Sequence, residues 1–244
     1  MTEAIYLQDS YCRKFEAVVT AQDAARHAIQ MDQTAFYPGG GGQPCDHGWL
    51  DVAGQSFAVR RVQRGHWHEL EEEVALPKPG DPVQGEIDWQ RRYGLMRTHT
   101  AMHILCGVIW RDYAASVTGG NMQPLAARMD FEFERMRKEL VAEIEEKINA
   151  EVVAEREVRT QTLPREVAFA IPDLIRTKIN LLPEGIQQVR TVELVGLDLQ
   201  ADGGTHVANT REVGRLRISD YKSKGGINKR LYLSLEETRP DAPL

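Results

Sequence analysis

Residues 88–110 read DWQRRYGLMRTHTAMHILCGVIW. Asp88 stands where a helix cap belongs, and Leu95, Met102, Leu105 and Ile109 supply a core-facing set. The stretch therefore predicts a helix that begins near Trp89 and continues towards Trp110. Gly94 lies inside it, at a cost of about 1 kcal/mol relative to alanine, and marks a break or a close packing contact. His99 and His103 are four apart, so their imidazoles leave one face on successive turns, a spacing that lets both hold one metal ion. A metalloprotease would need Glu directly after the first of these histidines; this chain has Thr100 there.

On the N-terminal side, residues 83–88 read as a strand, preceded by Leu76-Pro77-Lys78-Pro79-Gly80-Asp81-Pro82, a connection. Residues 4–60 are β-rich, with short segments at 17–20, 28–31 and 56–59 separated by polar or glycine-containing turns, as in a small barrel or curled sheet. On the C-terminal side, residues 127–133 alternate as a half-buried strand does. Between 135 and 157, Leu140, Ile144, Ile148 and Val152 mark an amphipathic helix. A short helix is expected at 172–175, and further strands at 189–195, 213–218 and 231–233. The pattern predicts an α+β protein: a β-barrel-like N-terminal domain over 1–87, then a domain over 88–244 in which helices pack on an antiparallel sheet.

No apolar run approaches membrane-spanning length, and the start, Met-Thr-Glu-Ala-Ile-Tyr, lacks the basic and apolar regions of a secretory leader, so the expectation is a cytoplasmic protein with no membrane partner. Cys12, Cys45 and Cys106 are odd in number and scattered, which argues against a disulfide scaffold. The net charge of −6 gives no global pull towards nucleic acid, so such a partner needs a local basic patch. Lys222, Lys224, Lys229 and Arg230, set around Gly225-Gly226, form one and are the candidate phosphate-binding edge.

A second stretch bears on the histidine pair. Asp202-Gly203-Gly204-Thr205-His206 offers a carboxylate and an imidazole flanking two glycines that permit a tight backbone path. Three histidines and a carboxylate suit zinc. Further upstream, Thr34-Ala35-Phe36-Tyr37-Pro38 runs into four consecutive glycines, Gly39–Gly42, and then Gln43-Pro44. The run lacks the Lys-Ser/Thr ending of a P-loop and reads as a flexible loop, or as one whose bare backbone approaches a ligand. Residues 66–73, with His66, His68 and several carboxylates, read as a solvated strand edge.

Four segments, TAFYPGGGGQP, RTHTAMHIL, ADGGTHV and SKGGINKR, together resemble the editing domain of alanyl-tRNA synthetase and its freestanding relatives, the AlaX-type alanyl-tRNA editing proteins. The resemblance runs from about residue 30 to residue 233. It implies one zinc ion held by His99, His103 and His206, with Asp202 standing where the family usually has Cys. It places Thr34 and Gln43 in the pocket for the mischarged amino acid, while Gly39 departs from the Glu of many relatives. The implied activity is hydrolysis of the ester joining serine or glycine to alanine tRNA. Such a second sieve is needed because one missing methyl yields only about 1–3 kcal/mol of discrimination. Two other readings fit the residues: a non-catalytic tRNA- or partner-binding module with a structural metal, and a metal-dependent hydrolase of small amides or esters.

Overall fold

The computed structural model describes residues 2–71, 75–175 and 185–237. The chain divides into two compact units, Met1–Tyr93 and Gly94–Leu244.

The first unit is a closed six-stranded barrel with a small parallel pair beside it. The pair joins β1 (Glu3–Ala4) to β4 (Gln33–Thr34). The barrel strands are β2 (Lys14–Asp23), β3 (Ala28–Met31), β5 (Gly48–Val52), β6 (Gln55–Gln63), β7 (Trp67–Leu70) and β8 (Pro82–Ile87), in the order β2-β3-β7-β6-β5-β8. The period-two pattern that makes them strands also fills the interior: Phe15, Ala17 and Val19 of β2 and Val83 and Ile87 of its neighbour β8 all join the buried core. Closure needs two glycines. A Cβ at Gly48 would fall 2.1 Å from the carbonyl oxygen of Glu86, and one at Gly85 would fall 2.3 Å from the Phe15 ring.

The glycine run forms a hydrogen-bonded turn. Gly39, Gly40, Gly41 and Gly42 have φ of 83°, 143°, 57° and 92°, a series of backbone conformations that L side chains resist. Reciprocal bonds between Gly40 and Gln43, each 2.9 Å, close the turn, and the Tyr37 hydroxyl donates to the Gly40 carbonyl at 3.1 Å. Its base is clamped by a fully buried ion pair between Asp46 and Arg92. The Asp46 carboxylate also accepts from the Tyr37 N–H at 2.6 Å, while Arg92 donates to the Ala35 carbonyl at 2.5 Å.

α1 (Trp89–Tyr113) contains the predicted helix and begins at the predicted place. Every residue from Arg92 to Ile109 is buried, so this helix has core on all sides rather than one apolar stripe. Its polar residues are satisfied internally: the Arg97 guanidinium donates to the carbonyls of Val213 and Glu236, and Thr98 donates to the Gly94 carbonyl while accepting from the Leu125 N–H. Gly94 marks close packing, since a Cβ there would meet Pro124 at 3.1 Å.

The second unit adds two antiparallel sheets. One has the order β14-β15-β10-β9, from β9 (Val117–Gln123), β10 (Ala126–Glu132), β14 (Leu216–Ser223) and β15 (Asn228–Leu235). α2 (Lys138–Val153) buries Val141, Ile144, Ile148 and Val152 and covers the edge strand β14: the Asn149 amide exchanges bonds with both backbone groups of Leu216, and Glu145 accepts from the Ile218 N–H. The other sheet has the order β11-β12-β13, from β11 (Val158–Pro164), β12 (Gln188–Leu194) and β13 (Asp198–Ala201). Two expectations need correction. The short helix is α3 (Arg165–Phe169), after Pro164, and not 172–175, where Asp173 turns to a φ of 56°. The strand expected at 213–218 starts at Leu216, because Thr210–Val213 form a 3-10 turn capped by Asn209. No described helix is long and apolar enough to cross a membrane.

Candidate metal centre

His99 and His103 leave α1 one turn apart, and Asp202 and His206 come from the segment that follows β13. Their four potential ligand atoms lie within 4.8 Å of one another. His99 Nε2 is 3.3 Å from Asp202 Oδ2, His103 Nε2 is 3.9 Å from the same oxygen, and His206 Nε2 is 3.9 Å from Asp202 Oδ1. The rings of His99 and His206 stack at 4.2 Å between centroids. The three imidazoles are at most 5% exposed, whereas the Asp202 side chain is 16% exposed, so the cluster meets solvent on its carboxylate side.

The path through Gly203-Gly204 needs no left-handed backbone. Neither takes a positive φ, and a Cβ at Gly203 would meet nothing within 4 Å. The turn is fixed by hydrogen bonds instead. The Gly204 N–H donates to Asp202 Oδ1 at 2.6 Å, and the Arg190 guanidinium donates to the carbonyls of Asp202 and Gly204, each at 3.0 Å. Asp202 Oδ2 is thereby left facing the histidines.

The donors fit a metal ion. Both ring nitrogens of His206 are buried with no hydrogen-bond partner among the described residues, a costly state that coordination of one nitrogen would relieve. The electrostatics agree. Burial alone would lower the pKa of His103, but the carboxylates of Asp198 and Asp202 outweigh it and raise the value to about 9. Burial would raise that of Asp202, yet the neighbouring His99 and His103 hold it well below the usual carboxylate range. Burial and the nearby His99 push His206 well below the ordinary imidazole value. His206 is thereby kept neutral and Asp202 ionised, the forms in which imidazole and carboxylate bind a metal ion. Three imidazole nitrogens and one carboxylate oxygen suit zinc in a four-coordinate or open site.

Thr34 and Gln43 belong to the first unit, and both are buried. The Thr34 hydroxyl lies 2.9 Å from His68 Nε2 and accepts from the Phe36 N–H at 3.1 Å. His68 is therefore no solvated edge residue: it points into the barrel, while His66 meets the Tyr6 hydroxyl at 3.0 Å. Glu72 and Glu73 of that stretch lie outside the described residues.

The four cations of the β14–β15 hairpin differ in availability. Lys222 and Lys224 are exposed, and Lys222 is 3.3 Å from Asp220. Lys229 is buried and donates to the Gly226 carbonyl, and Arg230 is held in two bonds of 2.6 and 2.7 Å by Asp130.

Sequence reasoning missed Asp198, whose Oδ2 accepts from His103 Nδ1 at 2.8 Å, and Gln200, which donates to the same oxygen at 2.8 Å. Asp198 and Gln200 alternate with Leu199 and so share one face of β13, which marks them as a pair without naming the histidine they meet.

Comparison with known proteins agrees with this geometry. Residues 7–91 match the family of class II (A) tRNA synthetases, and residues 189–232 match the threonyl and alanyl tRNA synthetase second additional domain. The alanyl-tRNA editing protein AlaX-M of Saccharolobus solfataricus is 37% identical over 97% of this chain and 100% of its own length. AlaX-M of Methanosarcina mazei is 37% identical over 96% of this chain and 97% of its own. The alanine–tRNA ligase of Ignicoccus hospitalis is 36% identical over 93% of this chain, which spans 25% of that enzyme. With its barrel, its His-His-Asp-His cluster and full-length relatives of this kind, the chain belongs to the AlaX-type alanyl-tRNA editing proteins.

Proposed function

We propose that this protein is a metal-dependent hydrolase that removes serine or glycine from mischarged alanine tRNA. The observation that carries the reading is the convergence of His99, His103, Asp202 and His206 in a chain whose AlaX-M relatives are named for alanyl-tRNA editing. When bound, zinc supplies Lewis acidity towards an ester carbonyl or a water.

The chain's own groups supply the rest. Asp202 and the three histidines hold the ion. Gln43 orients the aminoacyl ester through its amide. Thr34 reads the serine side chain, and because its hydroxyl proton is committed to His68, it does so as an acceptor. Lys222 and Lys224, the exposed cations of the β14–β15 hairpin, contact tRNA phosphates, with Lys229 and Arg230 shaping the hairpin behind them. Charged tRNA as substrate places the work in the cytoplasm.

The test is deacylation of seryl-, glycyl- and alanyl-tRNA for alanine by zinc-loaded protein, beside a His103→Ala control. Selective loss of serine and glycine that vanishes in the control is the expected result. Thr34→Val should slow release of serine far more than release of glycine. Absence of turnover on every charged tRNA, with metal bound, overturns the reading.

A further inference from the structure

Two faces meet behind the metal cluster, one from α1 and one from β13. On α1, His103, Cys106 and Gly107 occupy positions i, i+3 and i+4 and so share a face. On β13, Asp198 and Gln200 are two apart and point the same way. The Asp198 carboxylate accepts from His103 Nδ1 at 2.8 Å. The Gln200 amide donates one hydrogen to that carboxylate at 2.8 Å and directs another at the Cys106 sulfur at 3.2 Å. Close approach depends on Gly107: a Cβ there would stand 2.8 Å from Leu197 Cγ and 3.1 Å from Asp198 Cβ.

A carboxylate accepts and cannot donate, so Nδ1 of His103 carries a proton, and Nε2 is the nitrogen left to give its lone pair to a metal ion. Nε2 is the nitrogen turned towards Asp202. The carboxylate is itself fixed, because Gln200 holds the oxygen that His103 uses. From this geometry we infer that Asp198, steadied by Gln200 and admitted by Gly107, is the positioning residue that locks the tautomer and ring orientation of His103 for metal binding. The inference rests on the reading that the four-residue cluster holds a metal. It concerns a residue outside that cluster, and outer partners of this kind affect metal affinity by about 10–100-fold.

The experiment is direct titration of the metal-free full chain with Co2+, read by its visible absorption bands, and with Zn2+ against a competing chromophoric chelator. Parent, Asp198→Ala, Asp198→Asn, Gln200→Leu and Gly107→Ala are compared, with far-UV circular dichroism as the check on folding. Asp198→Ala should weaken metal binding about 10–100-fold and alter the Co2+ bands. Asp198→Asn keeps a neutral acceptor for Nδ1 and should recover part of both, which a purely structural role would not produce. Gly107→Ala should shift the bands in the direction of Asp198→Ala while leaving every polar side chain in place. A folded Asp198→Ala protein with the parent's affinity and spectrum overturns the inference and leaves the metal reading standing. A parent that takes up neither ion overturns both.

Discussion

The hydroxyl of Thr34 and the imidazole of His68 meet at 2.9 Å inside the barrel, and both side chains are fully buried. The Ile29 carbonyl, 3.3 Å from His68 Nδ1, can only accept, so Nδ1 bears the proton and Nε2 receives that of Thr34. Protonating Nε2 would destroy this arrangement in a medium that cannot solvate the charge.

Acid should therefore unfold the protein through His68. Burial lowers its pKa from 6.5 to about 4, so between these values the unfolded chain takes up a proton that the folded chain refuses. The contribution is fully present above pH 6.5 and is lost as pH falls towards 4, on the order of 3 kcal/mol in total. Urea denaturation at several pH values checks this. His68→Gln keeps an acceptor for Thr34 but does not titrate, so its stability should fall less steeply than the parent's over that window; parallel curves would refute a buried neutral His68.

Asp46 and Arg92 make a second buried pair, and breaking it should be expensive. Asp46→Asn leaves the Arg92 guanidinium without its counter-charge and weakens the acceptor for the Tyr37 N–H, at about 3–5 kcal/mol. Arg92→Met should cost a similar amount, and the double variant less than the sum, because the second change no longer strands a charge. Equilibrium unfolding of the three variants measures this, and strict additivity would show that the two groups do not act as a pair.

The hairpin cations should separate into two kinds. Lys222→Gln and Lys224→Gln should each weaken tRNA binding and reduce the salt dependence of log K by about one phosphate contact, with little change in stability. Arg230→Gln removes the partner of a half-buried Asp130 and should lower thermal stability, with a smaller effect on the salt slope. Filter binding across a salt series, beside thermal melts, tests the division; equal slopes for all three variants would refute it.

Much of this was legible in the residues. The start of α1 followed from Asp88, and the barrel from the short segments at 17–20, 28–31 and 56–59 set between polar or glycine-containing turns. All four donors of the cluster were readable because His99 and His103 share a helical face and Asp202 and His206 a short turn. What escaped depended on partners distant in sequence. His68 alternates with Leu70 as an inward residue, but an inward histidine makes sense only once Thr34 is seen opposite. Asp198 lies 95 positions from the histidine it holds, so no local spacing announces the contact. The glycine run disclosed its freedom of φ and nothing of the Asp46–Arg92 clamp that removes it.

The proposed ligand set is His99, His103, Asp202 and His206. None of its four members is a sulfur atom. Thiolate ligands climb under peroxide from sulfenic to sulfonic acid and release their metal, whereas imidazole nitrogen and carboxylate oxygen have no such ladder. The nearby thiol, Cys106, is buried on α1 with Gln200 directed at it. A metal held by these four residues, as proposed, would keep its ligands through oxidant exposure that strips a cysteine-ligated one, and the proposed deacylation would survive peroxide treatment with it.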